Sequence, residues 1–413
     1  MSTLWRMAWR NLWRRPVRTG LTVAATVFAV SLNLIMLSMA AGSHERWIEY
    51  VVSLYPGHIE VSLEGYRENR TLEYLMRLEA GEASALDRLT AQRGWAPRLE
   101  TWALAIPDRE GSLGRAALLV GIDPAREREL SRLAKTVREG RFLAGLDGAN
   151  EIVVGEVLAR NLDVAVGEQL ILLSSDYYGS QAADRFRLVG TLATGQRELD
   201  GHLVLVSLDR LQDFIEYAGG VSHVALFVPE SDRVEPLQAS LEAVFTRDRY
   251  EVLAWHQLLP DLTQMLLLDD IGAWLMLAIL VVVVAFGLLN TVLMSVMERV
   301  REFGMMRAVG TRPGMIFRLV MLESTLLGVL GIAVGLAISI PALLWLEGHA
   351  IPIGGSMSEM AEVFEIEPVI AFHLRRVDVI GAPLAILLVA LLAAIPPAVR
   401  GSRGRPVDAL RDA

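Results

Sequence analysis

The sequence predicts a membrane protein with four transmembrane α-helices and a large extracytoplasmic α/β domain between helices 1 and 2. Hydrophobic residues, 53% of the 413, collect in four blocks at 17–41, 271–296, 316–346 and 379–399. Each block approaches or exceeds the roughly 20 residues that cross a bilayer as a helix. Residues 42–268 instead alternate polar and apolar positions as a water-soluble α/β domain does. Arginines are concentrated in the segments beside these blocks, which predicts the orientation of the chain in the membrane.

The distribution of charge predicts that the large domain lies on the extracytoplasmic side of the membrane. Residues 1–42, 297–318 and 399–413 hold 14 arginines and four acidic residues, although the whole chain has a net charge of −9. Positively charged segments stay on the cytoplasmic side of a membrane. Both termini and the central charged segment are therefore predicted to be cytoplasmic. We predict a multi-pass membrane protein with the large domain on the side opposite to its termini.

Composition divides the chain into nine segments. Tryptophans at positions 5, 9 and 13, each followed by an arginine, predict an amphipathic helix in the lipid headgroup layer. The next apolar block is longer than a signal peptide needs, so we interpret it as an uncleaved anchor. The predicted segments are a cytoplasmic interfacial helix at 1–16, TM1 at 17–41, a two-lobed periplasmic α/β domain at 42–268, TM2 at 269–296, a cytoplasmic coupling helix at 297–315, TM3 at 316–346, a short periplasmic loop at 347–378, TM4 at 379–399 (ending at the proline pair 396–397) and a cytoplasmic tail at 400–413.

The outer domain contains no cysteine and is predicted to be stable without disulfides. Its length exceeds that of a usual single core, which predicts two lobes. Strand-like runs begin near residues 58, 116, 151, 169, 186, 203, 224 and 251. The link at 174–185 is longer than a tight hairpin requires, so it is a candidate partner-binding loop, and a plain surface loop is the alternative. Its candidate contact residues are Asp176, Tyr177, Tyr178 and Arg185.

The central charged segment is predicted to be the functional site. A charged helix between two spans cannot lie in hydrocarbon, so it lies at the water interface. Phe303, Met306 and Val309 share one helix face and are predicted to form an exposed apolar knob, which suits a groove on a partner protein. A solvated loop that only satisfies the charge rule is the alternative. The predicted coupling residues are Glu298, Arg299, Arg301, Glu302, Phe303, Gly304, Met306, Arg307 and Gly310, the last of which ends the helix.

Small and polar residues in the spans predict close helix packing. Gly331 and Gly335 have the four-residue spacing that lets helix backbones approach, and Gly328 extends the ridge. The contact is predicted either within the chain or across a dimer. Asn33, in the middle of the first span, is predicted to make a hydrogen bond between helices.

The sequence lacks the motifs and spacings of common catalytic and metal sites. The seven histidines lack the spacings that place two imidazoles on one metal ion. The chain has no Gly-x-Ser-x-Gly nucleophile motif. A nucleotide-binding P-loop needs a lysine after glycines, and the one lysine, Lys135, has no glycine beside it on its N-terminal side. We therefore predict a chain that is not an enzyme and carries no cofactor or metal of its own.

Four segments resemble the FtsX-like permease family of ABC transporters, which includes the MacB-type exporters and the LolC/LolE lipoprotein-releasing permeases. Residues 298–310 (ERVREFGMMRAVG), with Glu323 and Ser324 beyond, carry the most specific likeness. Residues 8–19 (AWRNLWRRPVRT) and 405–411 (RPVDALR) are similar to the family's terminal motifs. Residues 151–167 (EIVVGEVLARNLDVAVG) resemble its MacB-like periplasmic core domain. The fused ATPase of MacB has no counterpart in this sequence.

The resemblance implies a non-catalytic permease subunit of the bacterial inner (cytoplasmic) membrane, with its large domain in the periplasm. It also implies that the subunit binds two copies of a cytoplasmic ATPase, which holds the ATP and Mg²⁺. It also implies a second permease copy or a paralogue, membrane lipid, and a periplasmic carrier, adaptor or lipoprotein as partners, with no nucleic acid. The implied function is extraction or export of a lipoprotein or other amphiphile from the outer leaflet. The alternative is a mechanotransmitter that regulates a periplasmic partner, such as a cell-wall hydrolase, without transport. A membrane enzyme and a pure sensor fit the residues less well.

Overall fold

A computed structural model of the chain describes residues 2–91, 93–145, 150–229, 233–246, 249–349, 351–352 and 369–403. Two compact units contain these residues. The helical unit comprises those within Met1–His44, Gln264–Pro352 and Val369–Ala413, and the α/β unit those within Glu45–Thr263. The similarity at 405–411 falls outside the described residues, as do parts of the predicted loop at 347–378 and tail at 400–413.

Helices and strands are numbered along the chain. They are α1 Ser2–Leu12, α2 Pro16–Leu54, β1 Ile59–Leu63, α3 Tyr66–Asn69, α4 Ala80–Leu89, β2 Gly94–Pro107, β3 Arg115–Ile122, α5 Pro124–Leu130, β4 Val137–Gly140, β5 Glu151–Gly155, α6 Glu156–Leu162, β6 Gln169–Ser175, β7 Gln181–Leu192, α7 Arg197–Asp200, β8 Leu203–Ser207, α8 Leu208–Phe214, β9 His223–Phe227, α9 Val234–Val244, β10 Tyr250–Ala254, α10 Trp255–Leu258, α11 Pro260–Glu298, α12 Val300–Ala308, α13 Pro313–Glu347, β11 Ile351–Pro352, β12 Val369–Ile370 and α14 Arg376–Arg403. Two 3₁₀ turns lie at Leu72–Tyr74 and Leu133–Thr136.

Among the described residues, four helices are long and apolar enough to cross a membrane: α2, α11, α13 and α14. They match the four predicted blocks, but each helix is longer than its block. The first continues past residue 41 to Leu54, and the second begins at Pro260. The prediction that the fourth ends at Pro396 and Pro397 is wrong, because α14 continues to Arg403. A proline removes one backbone donor, and packing against neighbouring helices lets a membrane helix continue through it.

The glycine ridge of α13 packs against other helices of the same chain. A Cβ atom added to Gly331 would lie 2.6 Å from the Thr26 Cβ atom of α2, and one added to Gly335 would lie 3.0 Å from the Val30 Cβ atom. A Cβ atom on Gly328 would lie 3.3 Å from the Leu387 Cδ1 atom of α14. Only residues without a side chain permit this approach. A further contact across a dimer stays a prediction.

The predicted hydrogen bond of Asn33 is not made by its side-chain oxygen. Asn33 is buried, and its Oδ1 atom has no hydrogen-bond partner among the described residues. The helices are instead joined nearby by Ser339, whose hydroxyl donates to the Ser31 hydroxyl at 2.8 Å. A hydroxyl group reaches across closely packed helices because its side chain is short.

The α/β unit is built on one mixed sheet of ten strands in its described residues, ordered β10-β1-β9-β2-β3-β8-β5-β7-β4, with β6 paired to both β2 and β7. The pairs β3–β8 and β5–β7 are parallel, and the other pairs are antiparallel. The largest apolar cluster contains inward residues of nine of these strands, including Ile59, Leu99 and Leu226. The division into two lobes that the length predicts stays a prediction.

Candidate functional site

The predicted coupling segment folds as a short helix with a defined end. Helix α12 spans Val300–Ala308, which is shorter than the predicted range of 297–315. Gly310 has a φ angle of +98°, which favours glycine, and its N–H donates to the Arg307 carbonyl at 3.0 Å. The Thr311 N–H donates to the Met306 carbonyl at 2.9 Å, which completes a Schellman motif. The prediction that Gly310 ends this helix is confirmed.

The prediction that Phe303 is an exposed knob is wrong. Its side chain is only 2% exposed and belongs to an apolar cluster with Ala8 and Leu12 of α1, Val296 of α11 and Ile316 of α13. Burying the one aromatic ring of the segment gains more apolar contact than leaving it in water. The most exposed apolar residues of the segment are instead Met305, at 50%, and Val309, at 90%.

Seven charged residues form what we call the arginine–glutamate network: Arg14, Arg15, Arg18, Glu298, Arg299, Glu302 and Glu323. In one group of the network the guanidinium of Arg18 donates to both oxygens of Glu298, the last residue of α11, at 2.9 and 2.7 Å. Arg15 lies 2.5 Å from the same carboxylate, and Arg14 pairs with Glu302 at 3.2 Å. Planar, two-point pairing of this kind orients both side chains.

The second half of the network is better shielded from water. Arg299 donates to both oxygens of Glu323 at 3.0 and 2.9 Å, and the two side chains are 17% and 13% exposed. The amide of Asn11 donates to the same carboxylate at 2.5 Å, so Glu323 joins α1 to α13. Arg299 also contacts Glu302 at 3.2 Å and covers the Phe303 ring at 5.0 Å. Partly buried pairs are screened less by salt than surface pairs are.

The network surrounds a cavity of about 380 Å³ at one end of the helix bundle. Three of the predicted coupling residues, Glu298, Arg299 and Glu302, are paired within the chain. Gly304 is buried, Met306 and Arg307 are partly buried, and Arg301 is exposed. The role of these residues in coupling stays a prediction. Sequence reasoning noted residues 8–19 and Glu323 for their family resemblance, but it did not predict the contacts made by Arg14, Arg15, Arg18 and Glu323, with Asn11 beside them.

The predicted long loop of the α/β unit is a hairpin turn, so its predicted length is wrong. Ser175 pairs with Gln181, which leaves residues 176–180 as the connection. Polar residues after position 180 suggested a loop, but they alternate in exposure along β7. The candidate residues are therefore separated: Asp176 accepts from the Ser180 N–H at 2.7 Å, Tyr177 stacks on Tyr217 at 4.0 Å, Tyr178 is 73% exposed, and Arg185 lies in β7, 3.1 Å from Asp108. Their partner-binding role stays a prediction.

Two protein families match this chain over nearly its whole length. Residues 19–244 match the MacB-like periplasmic core domain, and residues 274–406 match the FtsX-like permease C-terminal domain. The first match alone covers more than half of the chain. The chain belongs to the FtsX-like permeases of ABC transporters. Its sheet unit is the MacB-like domain between the first and second spans of this multi-pass membrane protein.

Named relatives of this permease include proteins of both branches. It is 25% identical to the lipoprotein-releasing system transmembrane protein LolC of Xylella fastidiosa (strain Temecula1) over 77% of each chain. It is 21% identical to the LolE protein of Haemophilus influenzae over 99% of each chain. It is 26% identical to the macrolide export ATP-binding/permease protein MacB of Hyphomonas neptunium, over 81% of this permease and 52% of that protein. Among solved structures, the periplasmic region of MacB from Actinobacillus actinomycetemcomitans aligns with 48% of this permease and 89% of that chain, at 13% identity and a TM-score of 0.34.

Proposed function

We propose that this permease couples a separate cytoplasmic ATPase to motion of its periplasmic domain, and so extracts or exports a lipoprotein or other amphiphile. ATP and Mg²⁺ bind the ATPase, two copies of which act on a pair of permease subunits, either identical or paralogous. The observation that carries the proposal is the arginine–glutamate network, which joins the coupling segment (residues 297–315) to the link between α1 and α2, to the start of α2 and to α13. Glu323 of α13 also accepts from Asn11 of α1. A force on the coupling segment is thereby shared with these helices.

The docking surface is the side of the coupling segment that the chain leaves open. Val309 and Met305 are exposed apolar residues, and Arg301 adds an exposed positive charge. A short helix with apolar contacts and a charged flank suits a groove on a partner protein. Phe303 acts from beneath this surface, since it holds the segment against α1, α11 and α13.

Long continuous helices support the transmission step. Helices α2 and α11 have 39 residues each. At 1.5 Å per residue a helix of that length extends about 58 Å, well beyond a hydrocarbon core of about 30 Å. A tilt at one end of such a helix becomes a displacement at its other end.

We expect Val309→Asp to release the ATPase while the permease stays folded, because a charge at a 90% exposed position blocks apolar docking without disturbing the core. The measurement is co-purification of the ATPase with the tagged permease from gently solubilised membranes. Leu113→Asp is the matched control, since Leu113 is 85% exposed in the α/β unit and is expected to change nothing. Equal ATPase recovery with both variants contradicts the proposal.

The substrate class is tested separately from ATPase coupling. Proteoliposomes that contain the permease and its ATPase are supplied with a fluorescent lipoprotein, ATP and a soluble periplasmic fraction. We expect ATP-dependent release of the lipoprotein from the bilayer, as the names of the LolC and LolE relatives suggest. Retention of every lipid-modified probe despite normal stimulated ATP hydrolysis favours the alternative, a mechanotransmitter that regulates a periplasmic partner without transport.

A further inference from the structure

A polar cavity lies inside the α/β unit, and the proposed coupling makes no use of it. Its volume is about 200 Å³, and its wall includes Glu60 of β1, Glu100 of β2 and His223 of β9. These three residues are 3%, 7% and 2% exposed. Titratable groups are costly to bury unless hydrogen bonds or opposite charges compensate. The way each of the three is compensated therefore indicates what the cavity accepts.

Glu100 carries a negative charge at the base of the cavity. It accepts hydrogen bonds from the hydroxyl groups of Tyr55 and of Tyr66, the latter at 2.8 Å. Burial alone would raise the pKa of Glu100, but His223, the tyrosine hydroxyls and Arg70 more than offset it and lower that pKa. Burial, reinforced by Glu100, holds the pKa values of both tyrosines well above their usual range, so they remain donors.

The other two buried groups have unused hydrogen-bonding capacity. Burial lowers the pKa of His223, so its imidazole is neutral near pH 7, and its Nδ1 atom has no partner in the described part of the chain. The Glu60 Oε1 atom also lacks a hydrogen bond there, although the Arg67 Nε atom, 3.2 Å away, offsets its charge. Each unsatisfied buried group costs about 1–3 kcal/mol. A cationic group bound in the cavity would offset the buried charges of Glu60 and Glu100, which line it.

The positively charged residues of the cavity lie nearer the surface than the negatively charged ones. The Arg67 side chain is 22% exposed and Arg70 is exposed, and both line the cavity together with the buried acids. The two positive and two negative charges sum to zero, but the negative ones are buried deeper, so the cavity has a negative inner part and a positive outer part. Leu54, Leu118 and Leu258 supply apolar wall. No group of acidic and histidine side chains among the described residues is arranged to hold a metal ion.

We propose that this cavity binds a small zwitterion, with its ammonium group toward Glu60 and Glu100 and its carboxylate toward Arg70. An ammonium group has three donors and no acceptor, which suits carboxylate oxygens and a neutral imidazole. The volume is below the roughly 300–1,000 Å³ of drug-sized pockets, so the molecule is of amino-acid size. The inference is independent of the proposed function, because every residue that carries it lies in the α/β unit.

Three probes of equal chain length separate the two charges: 4-aminobutyrate, n-butylammonium and butyrate. Each is titrated calorimetrically into the detergent-purified full chain. We expect saturable binding of 4-aminobutyrate at one site, and at least ten-fold weaker binding of both singly charged probes. Absence of saturable binding by 4-aminobutyrate overturns the proposal, as does equal affinity for either singly charged probe.

Two variants assign the charges to residues. Glu60→Gln keeps the shape and removes the deep charge, and we expect it to weaken 4-aminobutyrate binding at least ten-fold. Arg70→Asn removes the outer charge at an exposed position whose φ angle is +43°, a conformation that asparagine tolerates. It is expected to reduce 4-aminobutyrate affinity to that of n-butylammonium. Glu129→Gln, at an exposed position outside the cavity, is the control. Unchanged binding by the Arg70→Asn variant, with a normal unfolding transition, overturns the proposal.

Discussion

Individual charged residues inside the central sheet make the stability of the α/β unit depend on pH. Arg98 and Glu127 are both fully buried and pair at 2.7 and 3.0 Å. Glu100 and His223 lie in neighbouring strands that face the same interior. Low-dielectric surroundings penalise an unpaired charge, and the pKa values of Glu100 and His223 are both lowered in the folded chain. Acid should therefore reduce the stability of this unit.

We expect the unfolding temperature of the α/β unit to fall as the pH is lowered from about 7 to about 4. Burial lowers the pKa of His223 below its ordinary value of 6.5, so the unfolded chain binds that proton first and stability is lost as the pH falls below 6.5. Glu100, whose pKa is lowered from 4.5, adds a loss at still lower pH. His223→Gln should remove the first loss and reduce the second, because His223 is the main group that lowers the pKa of Glu100. Parallel curves for the variant and the unchanged chain between pH 6.5 and 5 contradict this assignment, and circular dichroism measures both.

At the scale of secondary-structure elements, sequence periodicity predicted the four spans and most strands of the sheet. It missed the strand that buries charged residues. The four apolar blocks and most strands of the sheet are where the pattern places them. Strand β2, the longest, was missed because it buries Arg98 and Glu100 and contains two prolines, so it reads as neither alternating nor apolar. Its charges are tolerated only because Glu127, Tyr55 and Tyr66 meet them from other elements.

Gly331 of α13 and Gly287 of α11 form a matched pair for substitution by alanine. Gly331→Ala would place a methyl group 2.6 Å from the Thr26 Cβ atom, so we expect a loss of about 1–3 kcal/mol as the helices are forced apart. Gly287→Ala meets nothing within 4 Å and should be neutral or stabilise by up to about 1 kcal/mol through helix propensity. Thermal unfolding in one detergent compares them. Equal effects of the two substitutions would show that the ridge does not limit packing.

At the scale of the whole molecule, local sequence predicted the order of the parts but not the network that joins them. Asn11 and Glu323 are 312 positions apart, and Arg18 and Glu298 are 280 apart. Taken alone, each charged residue fits a common pattern: Arg18 belongs to a basic segment before a span, and Glu323 is an acidic residue near the start of a helix. Only the folded helix bundle brings them together, and the same packing covers Phe303. One sequence without its fold offers no sign of such pairing.

The orientation of the whole chain is tested by reporters on its two faces. Arginine clusters predict that the α/β unit is periplasmic and that the coupling segment is cytoplasmic. Alkaline phosphatase, active only after export, should be active when inserted after Gly111, in the turn between β2 and β3, and inactive after Gly310. The reverse activities would invert the topology and remove the coupling segment from the reach of a cytoplasmic ATPase.

The central claim, that force passes from the coupling segment through the arginine–glutamate network, is tested most directly by the ATP hydrolysis rate of the reconstituted permease–ATPase complex. Glu298→Arg places like charges beside Arg18 and Arg15, which lie 2.7 and 2.5 Å from the native carboxylate. We expect it to lower permease-stimulated hydrolysis at least five-fold, and Arg18→Glu in the same chain to restore most of that rate. Undiminished hydrolysis by the Glu298→Arg complex, with the ATPase still bound, would contradict the account.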